Sequence, residues 1–260
     1  MNPSNKSTTD VLDFWNSRAG LGQWAGTRDV KAKQIEMEVL AAQARDGMRI
    51  LEVGCGNGIT ALEIARRHVV KMTAIDFAEE MIVAARGLME GQELKGSVDF
   101  HPGDVRQLSE FSERFDLIYT ERVLINLPDW EAQRDALAGI LGLLAPGGCY
   151  AMLENSQDGL DALNVLRGHA GLPAIESPWH NRYFRDAELA TFSVSGVKLE
   201  KVHDYSSTYY FISRVVNAWQ AAREGCEPDY EAPINELAML LPPIGNVGQG
   251  RLWIWRKDPA

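Results

Sequence analysis

Apolar and polar positions change period several times along the chain, and the changes divide it into elements. Ile50-Leu51-Glu52-Val53 is a short, mostly apolar run ending in glycines, the pattern of a strand covered on both faces. Similar runs at 71–75, 97–101, 115–120 and 148–153 predict four more strands. Between most of them the period lengthens to that of a helix, at 58–68, 79–90 and 130–144. Over the first of these, Ile59, Leu62 and Ala65 mark one face, and Glu63, Arg66 and Arg67 stand off it. Alternating strands and helices imply βαβ units with right-handed crossovers, hence a parallel sheet with helices on both faces. After residue 154 the rhythm breaks. Helices are expected at 158–171 and 186–192, and strands at 197–205 and 250–256 bring the sheet to seven, mostly parallel.

The remaining stretches set the domain plan. Residues 1–9 are polar and are expected to be a disordered tail. Residues 10–45 read as a helical cap in two pieces, the first carrying Val11, Leu12, Phe14 and Trp15, the second Ile35, Val39 and Leu40. The core then spans 46–154, a first lid insertion 155–185, a core helix and strand 186–205, a second lid insertion 206–247, and the last strand 248–260. A plain sheet of this kind would join its last two strands by a short hairpin, so the aromatic-rich 206–247 is an insertion, and insertions at the ligand end commonly carry selectivity.

Charge and composition narrow the function classes. A formal net charge of −10 argues against a general nucleic-acid binder, which needs a basic face. Cys55, Cys149 and Cys226 are odd in number and far apart, so neither a disulfide framework nor a metal pair is expected. With no apolar leader and no run of membrane-spanning length, the expectation is a cytoplasmic protein without membrane partners.

The stretch Ile50 to Gly58 carries the chemistry. A strand that turns through Gly54, Gly56 and Gly58 into a helix lets a ligand approach bare backbone at a helix N-terminus. The spacing is G-x-G-x-G, and Ile59 stands where a dinucleotide fingerprint wants its last glycine. Glu52 beside the turn suits a cationic ligand better than a phosphate. A dehydrogenase reading also lacks any Tyr-x-x-x-Lys pair, since Tyr209 and Tyr210 have no lysine four residues on. These residues resemble motif I of the class I S-adenosylmethionine-dependent methyltransferases.

The resemblance implies a Rossmann-like α/β fold and S-adenosylmethionine as cofactor. By it, Glu52 faces the ligand's amino group and sulfonium, and Asp76 takes the ribose hydroxyls. Phe77 and Met81 hold the adenine, Asp104 and the Val105 N–H read its edge, and Glu121 ends the strand at the reacting methyl. Leu144 to Gly148 resembles the turn before the family's fifth strand. Singly, Asp76 reads as well as a helix cap and Asp104 as a turn residue; it is their order along 49–154 that carries the resemblance. Arg28 is placed on the cofactor carboxylate.

No Asn-Pro-Pro-Tyr follows the fourth strand, no Pro-Cys nucleophile is present, and the acidic metal set of catechol-type members has no counterpart. What remains resembles the small-molecule branch, and the resemblance implies methyl transfer to a hydroxyl or amine of a small molecule such as a sugar or natural-product intermediate. His180, Glu121 and Glu154 are the candidate catalytic groups. The plain alternative for His180 is a packed loop histidine, and for the acids a buried pair with arginine. Arg122, Asn126, Arg167, Trp179, Asn181 and Tyr183 are the candidate acceptor contacts. Two other readings stand beside this: a protein or RNA substrate, and a cofactor-binding protein without transfer activity. The chain is expected to be a monomer or homodimer.

Overall fold

The computed structural model describes residues 7–260. Seven strands form one sheet: β1 Arg49–Val53, β2 Lys71–Asp76, β3 Ser97–Pro102, β4 Phe115–Glu121, β5 Leu144–Asn155, β6 Val197–His203 and β7 Gly250–Lys257. Their order is β3-β2-β1-β4-β5-β7-β6. The first five run parallel, while β7 lies antiparallel between β5 and β6.

Side-chain alternation sorts the strands onto two cores. Leu51, Val53, Ile118, Tyr150 and Met152 face one way, onto Leu137 and Ile140 of α5 (Trp130–Gly142) and Leu160 and Leu163 of α6 (Gln157–His169). Ile50, Leu117, Tyr119, Ala151 and Leu153 face the other. They pack on Leu40 of α2 (Val30–Ala41), on Ala61 and Ala65 of α3 (Ile59–Arg67), and on Ile82 of α4 (Glu79–Met89). β1 is flanked by β2 on one side and β4 on the other, so chain order reverses there. Such a switch point opens a crevice at the carboxyl ends of the strands, and the glycine turn sits in it. Gly54 and Gly56 have φ of 75° and 53°, which favours glycine. A Cβ on Gly54 would also stand 2.3 Å from Val123, whereas a Cβ on Gly56 would meet nothing within 4 Å.

Two expectations are revised and a third is filled in. The tail of 1–9 ends early, because α1 spans Thr8–Arg18 and Ser7 caps it, its hydroxyl accepting from the Asp10 N–H and its own N–H donating to the Asp10 carboxylate; residues 1–6 lie outside the described residues. The turn at 144–148 is the irregular start of β5 itself, where the register to β4 shifts between Phe115 and Leu117. The insertion after β6 is a chain of short helices: α8 Ser207–Phe211, a π-helical stretch Ile212–Asn217, α9 Ala218–Glu224 and α10 Pro233–Leu240. One further short helix, α7 Asp186–Thr191, precedes β6. Among the described residues no helix is long and apolar enough to cross a membrane.

Candidate functional site

A cavity of about 450 Å³ occupies the crevice, within the range of small-ligand sites. It runs from the glycine turn, Asp76, Phe77, Met81, Asp104 and Val105, past Glu121 and Arg122, to His180, Asn181, Tyr183, Tyr210 and Arg214. The α1 side covers it with Phe14, Trp15 and Arg18.

At its first end, Asp76 closes β2 and is buried. Its Oδ2 accepts the Gly56 N–H at 2.8 Å and its Oδ1 the Ala78 N–H at 2.9 Å. Burial pushes its pKa up to about 6 against the pull of these bonds. Each oxygen keeps a second lone pair for a ligand hydroxyl. Glu52 is buried with its Oε2 unpartnered. Burial, with Glu121 nearby, pushes its pKa up to about 8. A ligand cation is what such a carboxyl lacks.

This has a measurable consequence. The free protein keeps a proton on Glu52 up to about pH 8, and a cationic ligand favours the ionised form, so binding below that pH must expel the proton. Asp76, at about 6, acts in the same direction lower down. Affinity for S-adenosylmethionine is therefore expected to rise between about pH 6 and about pH 8, by at most about tenfold per pH unit for one proton released. Calorimetry in two buffers of different ionisation enthalpy reads the proton directly, and a flat affinity with no release would remove Glu52 from the site.

Asp104 lines the cavity, but its carboxylate is held by Arg106, through the backbone N–H at 2.9 Å and the guanidinium Nε at 2.9 Å. Burial alone would raise the Asp104 pKa; Arg106 outweighs it and lowers it. The same guanidinium reaches Thr8 Oγ1 at 3.1 Å, tying α1 to the loop after β3.

The two candidate catalytic acids separate. Glu121 lines the cavity and is held by Lys33 of α2 and by Thr60 Oγ1 of α3, the latter at 2.7 Å. Burial opposes ionisation there, yet Lys33 and Arg122 bring the pKa down to about 2. A carboxylate so far from neutral is a poor general base, so Glu121 acts as a fixed negative charge. Glu154 lies outside the cavity lining, fully buried. Its oxygens accept the N–H groups of Val123 and Leu124, both at 3.0 Å, and of Ile125 at 3.3 Å. Burial pushes its pKa up to about 7. Its work is to shape the turn after β4.

His180 is buried and lines the cavity, with the Phe14 ring at 4.3 Å and Trp15 at 5.9 Å. Asn181 and Tyr183 line it too, Tyr183 bonding through its hydroxyl to Asn155 and Asn181. Asn126 lines it while bracing the turn, donating to the Arg122 carbonyl at 2.9 Å and accepting from Trp15 Nε1 at 3.3 Å. Three expected contacts fall elsewhere. Arg167 turns to the backbone carbonyls of Pro173, at 2.8 Å, in the loop after its helix, and of Arg214 in the π-helical stretch, part-buried acceptors that need donors. Trp179 is half exposed at the rim against His180, and Arg28 is exposed and away from the cavity. Its neighbour Asp29 points inward instead, pairing with Arg214 at 2.6 Å and accepting from the Tyr209 hydroxyl at 2.6 Å.

A family model described as a methyltransferase domain matches residues 50–148. This segment thus matches a methyltransferase domain, the family that the glycine turn and the strand-end acids resemble. The chain is 33% identical over 122 residues to an O-methyltransferase of Pyrenophora dematioidea, covering 46% of this chain and 45% of that protein. It is 27% identical over 136 residues to the ubiquinone biosynthesis O-methyltransferase of Coxiella burnetii, 52% and 54% of the two chains. A longer match, 28% over 201 residues and 72% of each chain, is to the 27-O-demethylrifamycin SV methyltransferase of Amycolatopsis mediterranei. The chain thus spans about half the length of the first two relatives. Magnesium protoporphyrin IX methyltransferase from Synechocystis, solved with S-adenosylhomocysteine, shares the fold at a TM-score of 0.61 and 14% identity, over 97% of this chain and 100% of that one. The cyclase SpnF does so at 0.61 and 20%, over 96% and 93%.

The cavity fits S-adenosylmethionine on the structural grounds above: a buried carboxyl with one oxygen unpartnered for a cation, an open glycine, and a carboxylate with lone pairs to spare. Sequence reading missed Lys33, Glu36, Tyr210 and Arg214. Lys33 and Glu36 are three apart on α2 and so share a face, a signal available beside the apolar stripe; nothing local marks Arg214.

Proposed function

We propose that the chain transfers the methyl group of S-adenosylmethionine to a hydroxyl of a small molecule. The observation that carries this is the continuous cavity. One end has the carboxyls Glu52 and Asp76, and the other is walled by His180, Asn181, Tyr183 and Tyr210 from the insertions. O-Methyltransferases among the relatives support oxygen as the acceptor. The bound cofactor supplies an electrophilic methyl already activated by a sulfonium. The chain's own residues align, dry and deprotonate. Asp76, Phe77, Met81, Asp104 and Val105 seat the nucleoside, and Glu52 and Glu121 supply negative charge near the sulfonium. Phe14 and Trp15 shield the acceptor from water, and His180 takes the hydroxyl proton. A sugar or natural-product intermediate fits a walled cavity better than a protein or RNA segment. The protein is a cytoplasmic monomer or homodimer in this reading.

S-Adenosylhomocysteine should stabilise the protein against heat far more than NAD does; no shift from the former sinks the cofactor assignment. Once an acceptor is found by screening, His180→Ala should lower kcat by about 10²- to 10⁴-fold, the usual worth of a general base, with S-adenosylhomocysteine binding intact. Unchanged turnover retires His180 as the base. The second reading, ligand binding without transfer, draws on the fold shared with a protein named a cyclase, and a screen that consumes no S-adenosylmethionine would favour it.

A further inference from the structure

Two cations at the acceptor end are placed there by irregular backbone. Arg122 directly follows β4 and is the one non-glycine residue among the described residues with a left-handed conformation, φ 58°. That conformation costs a side-chain-bearing residue about 1 kcal/mol or more. It is held by the Arg122 N–H on the Leu153 carbonyl at 2.8 Å and by Asn126 on its own carbonyl. Arg214 lies in the π-helical stretch, a rare geometry that recurs at functional sites. Its guanidinium stacks on the rings of Tyr210 and Tyr230, 5.1 and 4.4 Å from their centroids. Both arginines line the cavity.

Their charges are not fully matched. Asp29 neutralises Arg214, and Lys33 neutralises Glu121. Arg122 faces Glu36 of α2 at 3.3 Å, but burial raises the Glu36 carboxyl, and its hydrogen bond to Glu121 lets the two acids share one proton before the two cations Lys33 and Arg122. The neighbouring phenols of Tyr205 and Tyr210 are raised as well, by burial first. One positive charge is left over, on a guanidinium whose buried Nε has no hydrogen-bond partner. Close by, Tyr183 feels the Arg122 charge and bonds to Asn181. Two buried carbonyl oxygens of the cavity-lining residues, Asn181 Oδ1 and Gln249 Oε1, also have no donor.

We infer that the acceptor is a hydroxy acid, whose carboxylate docks on Arg122 while its hydroxyls donate to Asn181 and Gln249. This rests on the reading of the cavity as a methyl-acceptor site. A neutral acceptor would leave the Arg122 charge desolvated and unpaired, the costly arrangement. A carboxylate supplies a charge-assisted bond to the Arg122 guanidinium, whose side chain stays partly open to the cavity.

The test compares acids with their uncharged amides on the full chain, with and without S-adenosylhomocysteine: 3,4-dihydroxybenzoate against its amide, and glucuronate against glucuronamide. In the wild type at least one acid should bind about tenfold or more tighter than its amide, about 1.4 kcal/mol. Arg122→Gln should bring that ratio close to one. Gln249→Glu, which adds a carboxylate to the cavity lining, should weaken the acid more than the amide. Stabilisation by S-adenosylhomocysteine, read on every variant, separates a misfolded protein from one that has lost the anion site. Equal binding of acid and amide, a ratio unchanged in Arg122→Gln, or no binding of either acid up to about 10 mM overturns the inference. Acid preference without any response to S-adenosylhomocysteine would instead overturn the methyl-donor reading.

Discussion

Replacing Asp76 by alanine is expected to weaken S-adenosylhomocysteine binding by about 10²- to 10⁴-fold, enough to erase its thermal stabilisation at ordinary concentrations. Two hydrogen bonds from ribose hydroxyls to a carboxylate are each worth about 1.5–3 kcal/mol, and tenfold in affinity is about 1.4 kcal/mol. The carboxylate has a second task, because it already holds the Gly56 and Ala78 N–H groups and so ties the glycine turn to the start of α4. Alanine leaves both donors to water, and the free protein should lose about 1–3 kcal/mol of stability while remaining folded. Asp76→Asn separates the tasks: it keeps one acceptor oxygen and should recover most of the stability with little of the affinity. Calorimetry on both variants measures this, and near wild-type affinity in Asp76→Ala would show that the ribose lies elsewhere.

Glu154→Ala should cost about 3–5 kcal/mol of folding free energy, because a buried donor left without its acceptor costs about 1–3 kcal/mol. Three backbone donors, at Val123, Leu124 and Ile125, would lose their acceptor inside the protein. Natural domains have about 5–15 kcal/mol in total, and at about 2–4 °C per kcal/mol for a chain of this size the melting point should fall by about 10 °C. Chemical denaturation checks the magnitude. A loss below about 1 kcal/mol, accompanied by abolished turnover, would return Glu154 to a catalytic role. Glu154→Gln, with one acceptor oxygen retained, should fall between the two.

The contrast between Glu121 and Glu154 shows where sequence reading stops. Both end neighbouring strands at the ligand side, and both are glutamates in an apolar run. Register separates them: Glu121 pairs with Leu153 across β4 and β5, one residue short of Glu154. A one-residue offset turns a side chain to the other face of a sheet. Glu121 shares the face of Leu117 and Tyr119, towards Lys33 of α2 and Thr60 of α3. Glu154 shares that of Tyr150 and Met152, beneath the turn at 123–125. The missed residues teach the same lesson. Glu36 reads as an ordinary polar position on a helix, and only its approach to Arg122 in a buried setting makes it notable.

What could be read from the residues alone was local or periodic. The strand and helix alternation follows from side-chain period, and the glycine turn from residues that must sit at positive φ. The acids Glu52 and Asp76 could be placed because each ends or adjoins a strand whose direction the βαβ rule already sets. Which titratable groups stay charged, which cations lack a partner, and whether a strand-end acid faces ligand or backbone were decided by the tertiary structure. Those properties depend on desolvation and on partners far along the chain, as between Asp29 and Arg214. Local pattern carries no record of such distances, so the methyl donor was legible in the sequence and the acceptor site emerged only from the fold.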